Sequence, residues 1–184
     1  QICCFCFLLC IIIIFIGIAG KDYLWSIFGD VITSIIGDPE LDLEIDPAKI
    51  ENKNLLALYD QSVEGLIQTR AQKIEDIVRT LVTRITDVES IRKMPVGIRA
   101  ALAYISAVSR VHTPDLTTQL ISGFVILRMF TPAIVTPEAT GMIPRDFPPS
   151  VRAHRNLVLI AKVFQNIANN GGVASGKERF MEVM

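Results

Sequence analysis

Ser122–Pro137 reads SGFVILRMFTPAIVTP, an apolar run with a single charge, Arg128, broken at Pro132 and Pro137. Proline removes a backbone donor and clashes with the preceding helical turn, so this spacing predicts the end of a buried helix followed by an ordered turn. Arg128 stands four residues after Phe124 on a face that is otherwise apolar. A guanidinium buried there needs several hydrogen-bond partners, so the pattern predicts a buried structural arginine.

Outward from this stretch, the apolar spacing is helical in both directions. Leu24, Ile27, Phe28, Val31, Ile35 and Ile36 form one stripe, and Ile74, Ile77, Val78, Leu81, Ile85 and Val88 form another. Ile98, Leu102, Ile105 and Val108 make a third, with Pro95 near its first turn. Asp115 is the expected N-cap of a helix through Leu116, Leu120, Phe124 and Leu127. A last helix is expected from Val151 to Asn169, with Leu157, Ile160, Phe164 and Ile167 inward and Asn-Asn-Gly-Gly ending it. Two stretches read as non-helical. Gly37–Pro47 (GDPELDLEIDP) is an acidic loop, and Thr131–Ser150 holds five prolines, which excludes a continuous helix. The fold class is therefore all-α, with a long proline-containing loop between the last two clear helices.

The first twenty residues, QICCFCFLLCIIIIFIGIAG, carry no Lys, Arg, Asp or Glu. Ile2–Ala19 gives 18 consecutive apolar or small residues, enough to cross a hydrocarbon core. A signal peptide would want a basic n-region, which is missing. The remaining reading is a segment foreign to the domain, such as translated intron. Residues 1–19 are accordingly set apart from a domain spanning 20–184. All four cysteines (Cys3, Cys4, Cys6, Cys10) fall in this run, without the turns or histidines of a zinc site. With no cysteine elsewhere, disulfides cannot hold the domain, which fits a cytoplasmic location.

The other bulk features exclude whole classes of function. Net charge is −1 with both signs interspersed, unlike the clustered basic excess of nucleic-acid binders. No GxxxxGK[ST] run is present to cradle a nucleotide, and His112 and His154 have no ligand or triad spacing. No metal or cofactor is expected. The three apolar stripes and the acidic loop are those of an ordinary helical domain.

Taken together, the motifs resemble those of the Ras GTPase-activating (RasGAP) domain. In that family a leucine-arginine pair on a helix precedes Pro-Ala, two aliphatics, a small residue and Pro; here these are Leu127, Arg128, Pro132, Ala133, Ile134, Val135, Thr136 and Pro137. Arg155–Asn169 (RNLVLIAKVFQNIAN) resembles the closing helix, whose lysine, glutamine and asparagine line the Ras-facing groove. The matching positions, Lys162, Gln165 and Asn169, fall at i, i+3 and i+7 on one helical face. Gly20–Leu24 (GKDYL) with LDLEIDP is similar to the family's opening stretch, and Gly176-Lys177-Glu178 to its basic loop. Thr131 and Thr136 depart from the usual residues but stay small.

The resemblance implies a helical bundle that regulates a separate enzyme rather than being one. It implies a partner, a Ras-type small GTPase in the GTP state, met in the cytoplasm at a membrane, directly through residues 1–19 or through the lipidated GTPase. Leu127 and Arg128 would steady the loop that presents a catalytic arginine; Pro132, Thr136, Lys162, Gln165, Asn169 and Lys177 would contact the GTPase. The catalytic arginine itself is expected shortly before the position of Gly20, in a Phe-Arg-Gly-Asn-like motif. The cysteine and isoleucine run occupies that place, and the first arginine in the chain is Arg70. The expectation is thus a GTPase activator without its arginine finger, the alternative being a non-catalytic Ras-binding or scaffolding module.

Overall fold

The computed structural model describes residues 20–50 and 62–169. Helix α1 (Lys21–Gly37) buries Leu24, Ile27, Phe28, Ile32 and Ile35 in the core. Helix α2 (Val63–Thr86) starts where Ser62 Oγ accepts the Gly65 amide at 3.0 Å, satisfying a donor that the first turn cannot. Its buried residues, Ile67, Ala71, Ile74, Val78 and Leu81, alternate in steps of four and three. Arg84 ties it to α1 through Asp30 and the Ile27 carbonyl. The expected stripe stops short of Val88, because Asp87 takes an extended backbone and caps a new short helix, α3 (Val88–Lys93), where Val88 is exposed. Helix α4 (Val96–His112) follows Pro95, as read from the sequence. It sends only Ile98 and Ser109 fully inward.

The decisive stretch departs from the expectation in two ways. Asp115 does not cap: it lies inside a 3-10 turn (Pro114–Leu116), and helix α5 (Thr117–Ser122) begins after it. From Gly123 to Phe130 the chain then winds as a π-helix before a final α-helical turn and a half, α6 (Thr131–Val135). Pro132 therefore sits inside the helix rather than after it, tolerated because it occupies the first turn of α6. Thr136 ends the helix, and residues 136–150 form the proline-containing loop, turned at Gly141 with φ of +72°.

Helix α7 (Val151–Ala168) is capped by Ser150, whose hydroxyl accepts the Ala153 amide at 3.1 Å. Leu157, Ile160, Phe164 and Ala168 face the core, whereas Ile167, expected inward, is about half exposed. α7 packs against α6, the π segment, α1 and α2, so it is the central helix of the described bundle. Phe28 of α1 meets Phe130 edge-on, with ring centroids 5.2 Å apart. Among the described residues there is no strand, and the fold is all-α.

Pro114–Val135 is one continuous helical stretch long and apolar enough to cross a membrane by length and composition. Phe124, Met129, Phe130, Ala133 and Ile134 spend that apolarity in the core. The cysteines, residues 1–19 and Lys177 lie outside the described residues.

Candidate functional site

The leucine-arginine motif lies within the π segment, whose turns close their hydrogen bonds five residues on. Phe124, Met129 and Phe130 are its buried residues. Arg128 is exposed, which corrects the expectation of a buried, carbonyl-holding guanidinium. It lies with Leu127 along an open apolar groove of about 450 Å³ between α4 and the α5–π stretch, beside Ile105, Val108, Leu120 and Phe124. Replacing a guanidinium exposed in this way changes stability by less than about 0.5 kcal/mol. Arg128→Ala and Arg128→Lys are therefore expected to keep the denaturant midpoint of the parent chain, and a drop beyond that in both would restore the buried role.

Immediately after Arg128 the chain turns into α6. Pro132 and Thr136 are half-buried, and Thr136 Oγ donates to the Pro132 carbonyl at 3.0 Å, closing the helix on its own last turn. Thr131 is buried, and its hydroxyl has no partner among the described residues. Since α6 and the π segment both lie against α7, the Leu127–Thr136 motif and the α7 motif belong to adjoining elements. On α7, Lys162 and Gln165 are half-exposed and Asn169 is exposed at the C-cap, its amide donating to the Gln165 carbonyl at 3.1 Å. The i, i+3, i+7 spacing sets the three on one side of α7, with Lys162 and Gln165 half-buried and Asn169 exposed.

What fixes α7 was not read as a site from the sequence. Residues 38–46 place an acid at every second position (Asp38, Glu40, Asp42, Glu44, Asp46), with Pro39, Leu41, Leu43 and Ile45 between. Leu43 and Ile45 are fully buried, and the segment crosses the bundle as an extended strap without a partner strand. Its backbone is satisfied by side chains instead. Asn156, 1% exposed, accepts the Leu43 amide at 3.0 Å and donates to the Leu41 carbonyl at 2.8 Å. Arg152 donates to the Pro39 carbonyl at 2.9 Å. Arg70 of α2 donates to Asp42 at 2.6 Å and to the Glu44 carbonyl at 2.9 Å. Arg155 grips Glu44 with a fork, Nε to Oε2 at 2.7 Å and Nη2 to Oε1 at 2.9 Å. Burial alone would push the Glu44 carboxyl up. The Arg155 hydrogen bonds and the Asp46 amide outweigh it and hold the group below the ordinary carboxylate range. The legible signal was the acid–apolar alternation, which marks a strap with one face down.

Among the described residues there is no cluster of three His, Cys, Asp or Glu side chains that could hold a metal. His112 and His154 are both exposed. The groove and the α7 face offer cations, amides and apolar surface.

Comparison with known proteins decides the family. The family described as GTPase-activator protein for Ras-like GTPase matches residues 6–169. The chain belongs to the RasGAP family. Among its relatives, Neurofibromin-A of Dictyostelium discoideum is 36% identical over 172 residues, covering 92% of this chain and 19% of the relative. Ras GTPase-activating protein 4 of Mus musculus is 31% identical over 181 residues, covering 91% of this chain and 21% of the relative. Ras GTPase-activating protein raskol of Drosophila melanogaster is 30% identical over 173 residues, covering 92% and 10%. The RasGAP chain thus spans about a fifth or less of the length of these curated relatives. The RasGAP match begins inside the apolar run and takes in the π segment, α6 and the whole of α7, while Lys177 lies beyond its end.

Proposed function

We propose that this chain supplies the GTPase-binding face of a regulator that promotes hydrolysis of bound GTP, and that it binds a Ras-type GTPase in its GTP state, in the cytoplasm at the membrane holding the GTPase. The observation that carries the reading is the face of α7 on which Lys162, Gln165 and Asn169 fall together, on a helix that adjoins the Leu127–Thr136 motif. Lys162 would meet acidic groups of the GTPase. Gln165 and Asn169 would meet its backbone, and Leu127 would add apolar contact while Arg128 steadies an incoming loop. Lys177 would extend the cationic rim.

An activator of this class works in two ways. It orders the GTPase's own glutamine against the attacking water, and it inserts a guanidinium that neutralises charge developing on the β- and γ-phosphate oxygens. For the second the chain has no arginine before Arg70, and Arg70 is committed to the strap. That observation favours a second reading, a Ras-binding module that does not itself accelerate hydrolysis.

Lys162→Ala, Asn169→Ala and Lys177→Ala, each in the 184-residue chain, are expected to weaken association with the GTP-loaded GTPase. The melting temperature of Asn169→Ala should stay near the parent's, because polar substitutions on exposed surface usually shift stability by less than about 0.5 kcal/mol. Normal binding by all three would move the interface off this face.

A further inference from the structure

We propose that Glu44 and Arg155, backed by Asn156, are positioning residues for GTPase engagement, setting the rotation of α7 and so the aim of Lys162 and Asn169. The proposal rests on the binding reading above. Arg155, Lys162 and Asn169 recur every seven residues, and seven residues make two helical turns with a drift of only about 20°. The three therefore stand in one line along α7, apart from the buried line of Leu157, Ile160, Phe164 and Ala168. At one end of the line Asn169 is open to solvent; at the other Arg155 is locked to the strap.

The lock has the geometry of a clamp. Nε and Nη2 of Arg155 each take one oxygen of Glu44, at 2.7 and 2.9 Å, so the guanidinium cannot pivot about a single bond. Glu44 Oε1 also accepts the Asp46 amide at 3.0 Å, which fixes the carboxylate to the strap's own backbone. One residue further along α7, and about 100° around it, Asn156 holds Leu43 and Leu41 from a second direction. Two grips at different angles stop a helix from rolling, whereas apolar packing alone allows small rolls between neighbouring ridges. A largely buried ion pair is a poor source of net stability, since desolvating both partners offsets their attraction. Its benefit here is one defined orientation.

The test is a double-mutant cycle in the 184-residue chain, reading affinity for a GTP-loaded Ras-type GTPase. Glu44→Gln removes the charge and keeps the shape; Lys162→Ala removes the contact it is said to aim. Each alone is expected to weaken binding. Together they should lose at least about threefold less than the product of the single losses, within the range shown by coupled residues. Amide hydrogen exchange in the last turns of α7 should also quicken in Glu44→Gln. Should that variant fail to fold, Arg155→Lys, which keeps the charge and gives up the fork, carries the same cycle. Multiplying losses, or unchanged exchange, overturn the proposal and leave the binding face standing. If Lys162→Ala binds as the parent does, the face itself falls and the proposal with it.

Discussion

Single-turnover GTP hydrolysis by a Ras-type GTPase should rise little when the 184-residue chain is added, even at concentrations that saturate binding. For GTPases of this class an arginine supplied in trans is worth roughly 10³–10⁵ in rate, the largest single contribution a partner makes. The charge it answers develops on the phosphate oxygens only in the transition state, so a face that merely binds cannot replace it. In this chain no arginine precedes Arg70. Arg70 is held by Asp42 and the Glu44 carbonyl, and Arg84 by Asp30 and the Ile27 carbonyl. Arg128 is exposed, so Arg128→Ala belongs in the same assay. Stimulation approaching that of a complete activator would mean that the 184 residues do supply a finger. If Arg128→Ala then abolished it, Arg128 would belong to that machinery, either as the guanidinium inserted or as the support of the loop that carries it.

The second large effect is expected at Asn156. Asn156→Leu removes the acceptor of the Leu43 amide and the donor to the Leu41 carbonyl, and the site is too enclosed for water to substitute freely. Each buried polar group left unpaired costs about 1–3 kcal/mol. The total, about 2–6 kcal/mol, is a large share of the roughly 5–15 kcal/mol that keeps a domain folded. Asn156→Asp keeps an acceptor for the Leu43 amide but sets a carboxylate oxygen against the Leu41 carbonyl at a site where Asn156 is 1% exposed, so it too should destabilise the domain. Denaturant unfolding should place the midpoints of both variants below the parent's. A Leu variant with the parent's midpoint would mean that the strap is not held by α7.

The contrast between Asn156 and the helices shows what a sequence can reveal. α1, α2 and α7 were legible because burial repeats at 3.6 residues, and their apolar stripes reach the core with few exceptions. Val88 and Ile167 failed for local reasons: a cap at Asp87 starts a new helix, and Ile167 lies off the buried line that Phe164 and Ala168 continue. The π segment was illegible because nothing in GFVILRMF sets it apart from an α-helix, and Arg128 within it, read as buried, is exposed. The candidate face on α7 was readable from spacing and family resemblance together. Its support was not, because Asn156 meets Leu41 and Leu43 across more than a hundred residues of sequence, and such pairing has no local signature.

The central claim is nucleotide-dependent recognition through α7, and direct titration of the 184-residue chain against a Ras-type GTPase measures it. The GTPase loaded with a non-hydrolysable GTP analogue should bind, the GDP-loaded form should bind far more weakly, and Lys162→Ala should erode the difference. Equal affinity for the two forms, or no binding to either, would contradict the account.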